Sequence, residues 1–213
     1  IWFGIVATVI CLLIAFPLAY IISQKTEKVQ RTLVMLVMLP MWMSFLIRTY
    51  SWMALLQDTG IINSFLAKLG IDPIHMINTS GAVILGMVYN FLPYMIMPIY
   101  SVMAKLDYSM VEAAQDLGGN RLTVIKRCII PMSMPGVISG ITMVFVPSVS
   151  TFYISQKLGG GSFDLIGDVI ERQFQQSYNY NLGASLSLVL MVLILICMAV
   201  MNRFSGDEEG MVI

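Results

Sequence analysis

The residues of this chain that are best suited to chemistry are hydroxyl, amide and aromatic side chains that interrupt apolar stretches. The densest group lies within residues 148–156 and consists of Ser148, Ser150, Thr151, Tyr153, Ser155 and Gln156. Polar side chains at membrane depth tend to face a bundle interior or a water-filled cavity. We therefore expect this group to line a polar pathway, with hydrogen bonding between helices as the alternative use.

Two smaller groups of polar and aromatic residues lie in other apolar stretches. They comprise Arg48, Tyr50 and Trp52 in one stretch and Tyr89, Asn90 and Tyr94 in another. These side chains are further candidates for the lining of the same pathway. The alternative for the rings is an aromatic belt at the membrane surface. The alternative for Arg48 is a guanidinium that extends to the lipid head groups.

Such side chains need a scaffold that spans a membrane, and the composition indicates one. The 213 residues are 58% hydrophobic and 11% charged, whereas soluble domains carry about 25% charged residues. Five apolar stretches, near 1–22, 32–56, 82–104, 133–156 and 182–202, are each long enough to cross a bilayer as a helix. We predict an all-α, polytopic helical bundle in which residues 1–213 form one transmembrane domain. Because the chain starts at Ile1 without a Met or a signal-peptide basic region, we also expect an earlier helix before it.

The composition excludes several classes of function. The formal net charge is zero, so no nucleic-acid partner is expected. The phosphate-binding pattern Gly-x-x-x-x-Gly-Lys-Ser/Thr does not occur, so we do not expect this chain to hydrolyse ATP or to be an enzyme. The three cysteines show neither a disulfide framework nor a metal-ligand spacing, and we expect no cofactor or metal on this chain.

The basic residues between the apolar stretches predict the orientation in the membrane. One side carries Lys25, Lys28, Arg31, Lys105, Arg121, Lys126, Arg127 and Arg203. The opposite side carries Lys68, Lys157 and Arg172. The positive-inside rule places the first, larger set in the cytoplasm. Since the apolar stretches would cross the lipid bilayer, the bilayer is itself an expected partner.

The opposite, outer side carries more acidic than basic residues. Its acids are Asp58, Asp72, Asp164, Asp168 and Glu171. One interpretation is an entrance whose negative potential concentrates a small cationic solute. The other is that these are ordinary solvated loops.

The cytoplasmic segment 105–131 has the pattern of a helix, a turn and a second helix. Met110, Val111 and Ala114 recur at helical spacing, and Gly118 then permits a turn because glycine tolerates positive φ. Asn120 is suited to cap the helix that follows. The segment is therefore predicted to form a stiff docking element, whereas a plain connecting loop would not need this length or pattern.

Within this segment, Glu112, Ala113, Ala114, Gly118, Ile130 and Pro131 resemble the EAA loop of ABC-importer permeases in type and spacing. The resemblance implies a bundle of the type I ABC-importer permease kind. It also implies that the loop docks into a separate ATPase subunit, which binds ATP and Mg. The coupling residues would be Glu112, Ala113, Ala114, Asp116, Gly118, Arg121 and Pro131.

Further segments resemble the B-type permease of bacterial spermidine/putrescine importers. They are 60–63, 89–95, 98–100, 106–107, 152–155 and 158–160. The resemblance implies an inner-membrane subunit that forms half of a translocation pathway for polyamines. It would pair with a second homologous permease, two ATPase subunits and an extracytoplasmic solute-binding protein. The alternatives are a permease for iron, thiamine or an organic anion, or a channel-like structural membrane subunit.

The same resemblance indicates which side chains would handle the solute. Tyr153 is the first candidate, because aromatic faces attract ammonium groups. The remaining candidates are Ser155, Tyr89, Tyr94, Asp164, Asp168 and Glu171. Gln156 and Lys157 stand where relatives carry an acidic residue after the serine. The partner permease is therefore the alternative location of the main anionic site.

Overall fold

The computed structural model describes the backbone of residues 1–106, 108–116, 118 and 120–209, and their side chains except at 108, 112, 113, 115, 121, 122, 202 and 204–209. Most of the described residues are helical and none of them lies in a strand, which confirms the predicted all-α class. The helices are α1 Trp2–Ser23, α2 Glu27–Met38, α3 Phe45–Leu56, α4 Ile61–Lys68, α5 Ser80–Met103, α6 Tyr108–Asp116, α7 Arg121–Val124, α8 Ile130–Ser150, α9 Tyr153–Leu158, α10 Ile166–Gln175 and α11 Tyr180–Glu209.

Helix α8 is the continuation of α7. A π-helical segment, Ile125–Ile129, joins the two, so the chain is helical from Arg121 to Ser150. At Thr151 the backbone becomes extended, with ψ of 145°, and the helical hydrogen bonding stops. The fourth predicted span, 133–156, was therefore too long, because its last residues belong to the separate helix α9.

The second predicted span, 32–56, is not one straight helix. Glu27–Trp42, which is α2 followed by a 3₁₀ turn, and Phe45–Lys68 meet at an angle of 88°. Pro40 lies in the 3₁₀ turn. The two residues that follow this turn, Met43 and Ser44, take extended backbone with ψ of 147° and 134°. A proline lacks the amide hydrogen of a helix bond, and extended residues cannot continue the helix. In the described residues, four helices are long and apolar enough to cross a membrane, or five if the bent pair is one span.

Helix α5 is the centre of the bundle and packs between α1 and α8. On α1, fully buried Ala7, Cys11, Ala15 and Ala19 recur every four residues. Side chains this small let two helix backbones approach closely. Cys11 Sγ lies 3.8 Å from the carbonyl oxygen of Val88 on α5. This row of small residues therefore forms the contact between α1 and α5.

Helix α8 approaches α5 through two glycines spaced four residues apart. A Cβ atom at Gly136 would lie 2.8 Å from the carbonyl oxygen of Pro98 and 3.0 Å from the Cα of Ile99. A Cβ at Gly140 would lie 2.7 Å from the sulfur of Met95. The two backbones can be this close only because neither glycine has a side chain.

Helix α11 is peripheral and packs against α8 and α10. Many of its exposed side chains are large and apolar, and they include Leu188, Val189, Leu195 and Ile196. An apolar surface of this kind is suited to lipid or to another apolar helix.

Two short helices lie between the long apolar ones. They are α4, after Gly60, and α10, after Asp164. Asn63 anchors α4, because its side-chain amide donates to the carbonyl of Ile74 and its carbonyl oxygen accepts from Ile74 N, both at 2.9 Å. Phe65 and Leu69 stay exposed, so the apolar side chains of this segment lie only partly on the bundle.

Candidate functional site

Segment 105–131, which the charge pattern predicts to be cytoplasmic and which is called the cytoplasmic loop below, has the predicted helix–turn–helix form. Helix α6 ends at Asp116, Gly118 follows with φ of +81°, and α7 starts at Arg121. Asn120 Oδ1 accepts hydrogen bonds of 2.8 Å from both the amide and the hydroxyl of Thr123, which is the predicted helix cap. A Cβ at Gly118 would meet no atom of the described residues within 4 Å, so the turn requires glycine for its backbone angle and not for lack of space.

The two faces of the loop differ in burial. Val111 and Ala114 pack against the bundle core. Met110 is 55% exposed, and Asp116 and Pro131 are exposed too. The side chains of Glu112, Ala113 and Arg121 lie outside the described part of the structure. The visible arrangement therefore has one face anchored to the bundle and one face available to a partner.

At the other end of α8, Tyr153 starts α9 inside an aromatic cluster that α3 completes. The centroid of its ring lies 5.9 Å from that of Phe45 and 6.2 Å from that of Tyr50. Lys157 follows one turn later, and its Nζ lies 5.7 Å from the Tyr50 centroid and 5.8 Å from the Tyr153 centroid. Both distances fall within the range of a cation–π contact. The pair of tyrosines thus holds an ammonium group, which in this structure belongs to the chain itself.

Sequence reasoning found Tyr153 but not this arrangement. Residues four apart on a helix face the same side, so Tyr153 and Lys157 could have been paired from their spacing. Tyr50 could not have been added, because it comes from a helix about a hundred residues earlier.

Ser155 and Asp168, two of the predicted pathway residues, contact each other. Ser155 Oγ donates to Asp168 Oδ2 at 2.7 Å, and the amide of Leu165 donates to the same oxygen at 2.8 Å. The second bond resembles the carboxylate half of a capping box at the start of α10. Asp168 is only 4% exposed, and its Oδ1 has no hydrogen-bond partner among the described residues.

Burial sets the ionisation of Asp168. Loss of solvent raises the pKa of its carboxyl group above the ordinary value, while the bonds from Ser155 and Leu165 act in the opposite direction and offset part of that rise. The nearby Asp164 carboxylate adds a small further rise. This acid is therefore easier to protonate than an exposed aspartate.

The three outer acids that the sequence singled out surround one cavity of about 310 Å³ between α9 and α10. Its lining comprises Gln156, Gly161, Phe163, Asp164, Asp168, Glu171, Arg172 and Gln176. Arg172 pairs with Asp164, which raises the pKa of the guanidinium. Gln156 Nε2 donates to Glu171 Oε2 at 3.0 Å. Three carboxylates thus share the cavity with one guanidinium, which leaves excess negative charge when all are ionised.

The other two predicted tyrosines lie apart from this cavity. Tyr89 packs edge-on against Trp52, with ring centroids 5.2 Å apart, and so joins α5 to α3. Tyr94 is 41% exposed and lines a groove of about 550 Å³ between α2, α5 and α8, together with Met38, Met41 and Met143. The structure therefore gathers Tyr153, Ser155 and the acids at one end and leaves Tyr94 on a different face.

Two buried polar residues on α3 and α5 have unpaired atoms. Arg48 is 7% exposed, and its Nε and Nη1 have no hydrogen-bond partner in the described part of the chain. The structure thus buries Arg48 instead of extending it to the surface. Asn90 donates from Nδ2 to the carbonyl of Gly86 at 2.8 Å, while its Oδ1 stays unpaired among the same residues. Within the described residues, no group of three or more His, Cys, Asp or Glu side chains is placed to hold a metal ion.

Comparison with protein families gives one match across nearly the whole chain. Residues 5–205 match a family described as binding-protein-dependent transport system inner membrane component. The chain is 44% identical over 176 residues to the spermidine/putrescine transport system permease protein PotB of Haemophilus influenzae, which covers 82% of this chain and 62% of that protein. It is 42% identical over 173 residues to the protein of the same description in Escherichia coli, covering 80% of this chain and 63% of that protein. This chain thus spans less than two thirds of the length of these relatives.

Solved structures share the fold at lower identity. A bacterial ABC transporter involved in the import of the acidic polysaccharide alginate matches with a TM-score of 0.75 and 17% identity, over 97% of this chain and 78% of that chain. The same type of transporter in complex with a periplasmic protein bound to an alginate pentasaccharide matches with a TM-score of 0.74 and 18% identity, over 96% and 76% of the two chains. These matches confirm the predicted fold, a helical bundle of the ABC-importer permease kind.

Proposed function

The chain belongs to the family of binding-protein-dependent transport system inner membrane components, and on this premise we propose that it forms half of the translocation pathway of an ATP-driven polyamine importer. As a member of this family it is a multi-pass inner-membrane protein. The observation that carries the proposed solute is the similarity, over four fifths of the chain, to permeases named for spermidine and putrescine transport.

The chemistry of the outer end supports a cation as the solute. Tyr50 and Tyr153 already hold an ammonium group on their rings. The neighbouring cavity carries three carboxylates against one guanidinium. A polyamine has several ammonium groups, and each contact with an aromatic face contributes about 0.5–2 kcal/mol. Several contacts of this size suit transport, because a single deep site would hinder release.

The cytoplasmic loop supplies the coupling in this proposal. Glu112, Ala113, Ala114, Asp116, Gly118, Arg121 and Pro131 would contact the cleft of the ATPase subunit. The exposed face of α6 and the glycine turn support this role. A rigid helix–turn–helix can transmit a movement of the ATPase subunit that a flexible loop would absorb. ATP and Mg would bind to that partner, and this chain would hold no cofactor.

The assembly would contain a second homologous permease, two ATPase subunits and an extracytoplasmic binding protein that delivers the solute. Residues 1–213 would act as one permease domain, with 105–131 as its coupling loop. No role for nucleic acid is proposed. The main anionic site would lie on the second permease if Gln156 and Lys157 leave this chain without one.

Direct uptake tests the solute. The assembled transporter is reconstituted in liposomes with its binding protein, and ATP-dependent accumulation of labelled spermidine is measured. Unlabelled putrescine should compete, whereas thiamine, ferric ion and an organic anion should not. Absence of spermidine uptake, with uptake of one of these other solutes, would refute the polyamine assignment and leave the importer family intact.

A further inference from the structure

Lys157 makes an unusual contact for a lysine on an outer surface. Its ammonium group lies over two tyrosine rings, at 5.7 Å and 5.8 Å from their centroids. Among the described residues, no carboxylate lies within ion-pair distance of its amine, although acids line the cavity beside it. The side chain is half-buried. The two tyrosines are thus its principal partners, through both rings and, for Tyr50, also through the hydroxyl.

The contacts that hold the two tyrosines in place do not depend on the ammonium group of Lys157. Tyr153 packs against Phe45 and Tyr50, both of which are on α3. Helix α9 is also anchored on a second side, through the bond from Ser155 to Asp168. Neither set of contacts involves Lys157. The aromatic pair should therefore persist when the lysine leaves it.

The side chain of lysine has the same chemistry as one end of a polyamine. It is a primary ammonium on a chain of four methylene groups. A diaminoalkane likewise carries a primary ammonium at the end of its methylene chain. A pair of rings that accepts the first will accept the second, because the attraction depends on the charge and the ring face and not on what lies behind the methylenes.

We propose that the Tyr50–Tyr153 pair is an ammonium site of the solute pathway and that Lys157 is its tethered occupant, which an ammonium group of the solute must displace. This inference rests on the proposed polyamine transport and deepens it. A tethered group competes at a high effective concentration, so it lowers the apparent affinity for the free solute. Lys157 would thus set the concentration at which solute enters the pathway.

Uptake kinetics give the first test. Lys157→Met keeps a flexible stem and removes the charge, and it should lower the spermidine concentration for half-maximal uptake by about 3- to 10-fold. Lys68→Met removes a lysine from the exposed end of α4 and serves as the matched control, with no change expected. An unchanged or increased half-maximal concentration in Lys157→Met, with spermidine uptake intact, would overturn the inference. Absence of spermidine uptake in the wild-type transporter would instead refute the proposed function.

Chemical labelling gives a second test that does not depend on transport. The purified transporter is treated with an impermeant acylating reagent, and the labelling rates of Lys157 and Lys68 are measured by peptide mass spectrometry. Tetramethylammonium binds aromatic faces and cannot be acylated, so it should accelerate the labelling of Lys157 and leave that of Lys68 unchanged. The double variant Tyr50→Leu/Tyr153→Leu should label rapidly at Lys157 without the probe. If the probe has no effect on Lys157, the lysine does not occupy the site and the inference is wrong.

Discussion

Ser155 Oγ donates a 2.7 Å hydrogen bond to Oδ2 of Asp168 and so ties α9 to α10 beneath the outer cavity. Both residues are almost fully buried. The same carboxylate oxygen accepts the amide of Leu165, so one side chain satisfies two buried donors. This carboxylate holds the outer segment in place, besides its proposed part in the negative charge of the cavity.

Removal of the Asp168 carboxylate should destabilise the protein. Asp168→Ala leaves the Leu165 amide without its acceptor and removes the link from Ser155 to α10, although the Ser155 hydroxyl can still donate to the carbonyl of Phe152, and the expected cost is about 1–3 kcal/mol. Asp168→Asn is the matched control, because its amide oxygen can accept both bonds. Thermal unfolding of the purified protein in detergent should show a lower midpoint for Asp168→Ala than for Asp168→Asn. Equal midpoints would show that the two hydrogen bonds contribute little.

The raised pKa of Asp168 predicts a pH dependence of unusual sign. Between its ordinary pKa of 3.8 and its higher value in the folded state, the folded protein binds more protons than the unfolded chain. Its contribution to stability is therefore complete below the ordinary pKa and is lost as the pH rises through the folded pKa.

Comparison of the wild type with Asp168→Asn isolates this contribution, since asparagine does not titrate. As the pH rises across this window, the unfolding midpoint of the wild type should fall relative to that of the variant and then stay at a constant difference. A wild type that gains on the variant with rising pH would mean that hydrogen bonding outweighs burial and that the pKa is lowered.

The two glycines of α8 should differ in their tolerance of alanine. At Gly136 the new Cβ would meet backbone atoms of α5, which cannot move without shifting the helix. At Gly140 the nearest atom is the sulfur of Met95, which is at the flexible end of a side chain. We expect Gly136→Ala to cost about 1–3 kcal/mol by overpacking and Gly140→Ala to cost less.

Gly81→Ala, whose Cβ would have only ordinary contacts, is the control for alanine in a helix. The measurement is the unfolding midpoint in detergent for all three variants. If Gly140→Ala proves the more destabilising, the closest approach of α8 to α5 lies elsewhere than the structure places it.

The turn at Gly118 gives a prediction about coupling. Its φ of +81° disfavours a β-branched residue, whereas asparagine adopts positive φ more readily. Gly118→Val should distort the turn and reduce solute-stimulated ATP hydrolysis by the assembled transporter several-fold, while Gly118→Asn should retain most of it. Membrane insertion should be normal in both. Equal activity in the two variants would mean that the angle of this turn does not matter for docking.

Local features of the fold could be predicted from the sequence. The helix–turn–helix of the cytoplasmic loop followed from Gly118 and Asn120, because each has a backbone or capping preference that acts within a few residues. The long apolar spans followed from length and composition.

Breaks inside apolar stretches could not be predicted in the same way. Pro40 is compatible with a kinked span as well as with two separate helices, and only the packing of α3 decides between them. The end of α8 at Ser150 has no glycine or charged residue to mark it. The hydrophobic composition is alike on both sides of each break, so it does not show that the helix axis changes direction there.

The candidate site was predictable only in part, since it depends on contacts between distant segments. Tyr153 was found, but its contact with Tyr50 joins two helices that periodicity cannot relate. Gly136 and Gly140 show the spacing of a close helix contact. That spacing does not say which helix lies opposite.

The unbroken helical path from Arg121 to Ser150 has a mechanical consequence. Thirty residues of helix extend about 45 Å, roughly the thickness of a bilayer with its head groups. A helix is stiff along its axis, so a displacement at its Arg121 end would be transmitted toward Ser150, with the π-helical segment Ile125–Ile129 and the prolines Pro135 and Pro147 as the points where it can bend. The first joint that it meets is Thr151–Phe152, and the next residue is Tyr153. A movement of the loop would therefore reach the Tyr50–Tyr153 pair and change the contact of its rings with an ammonium group.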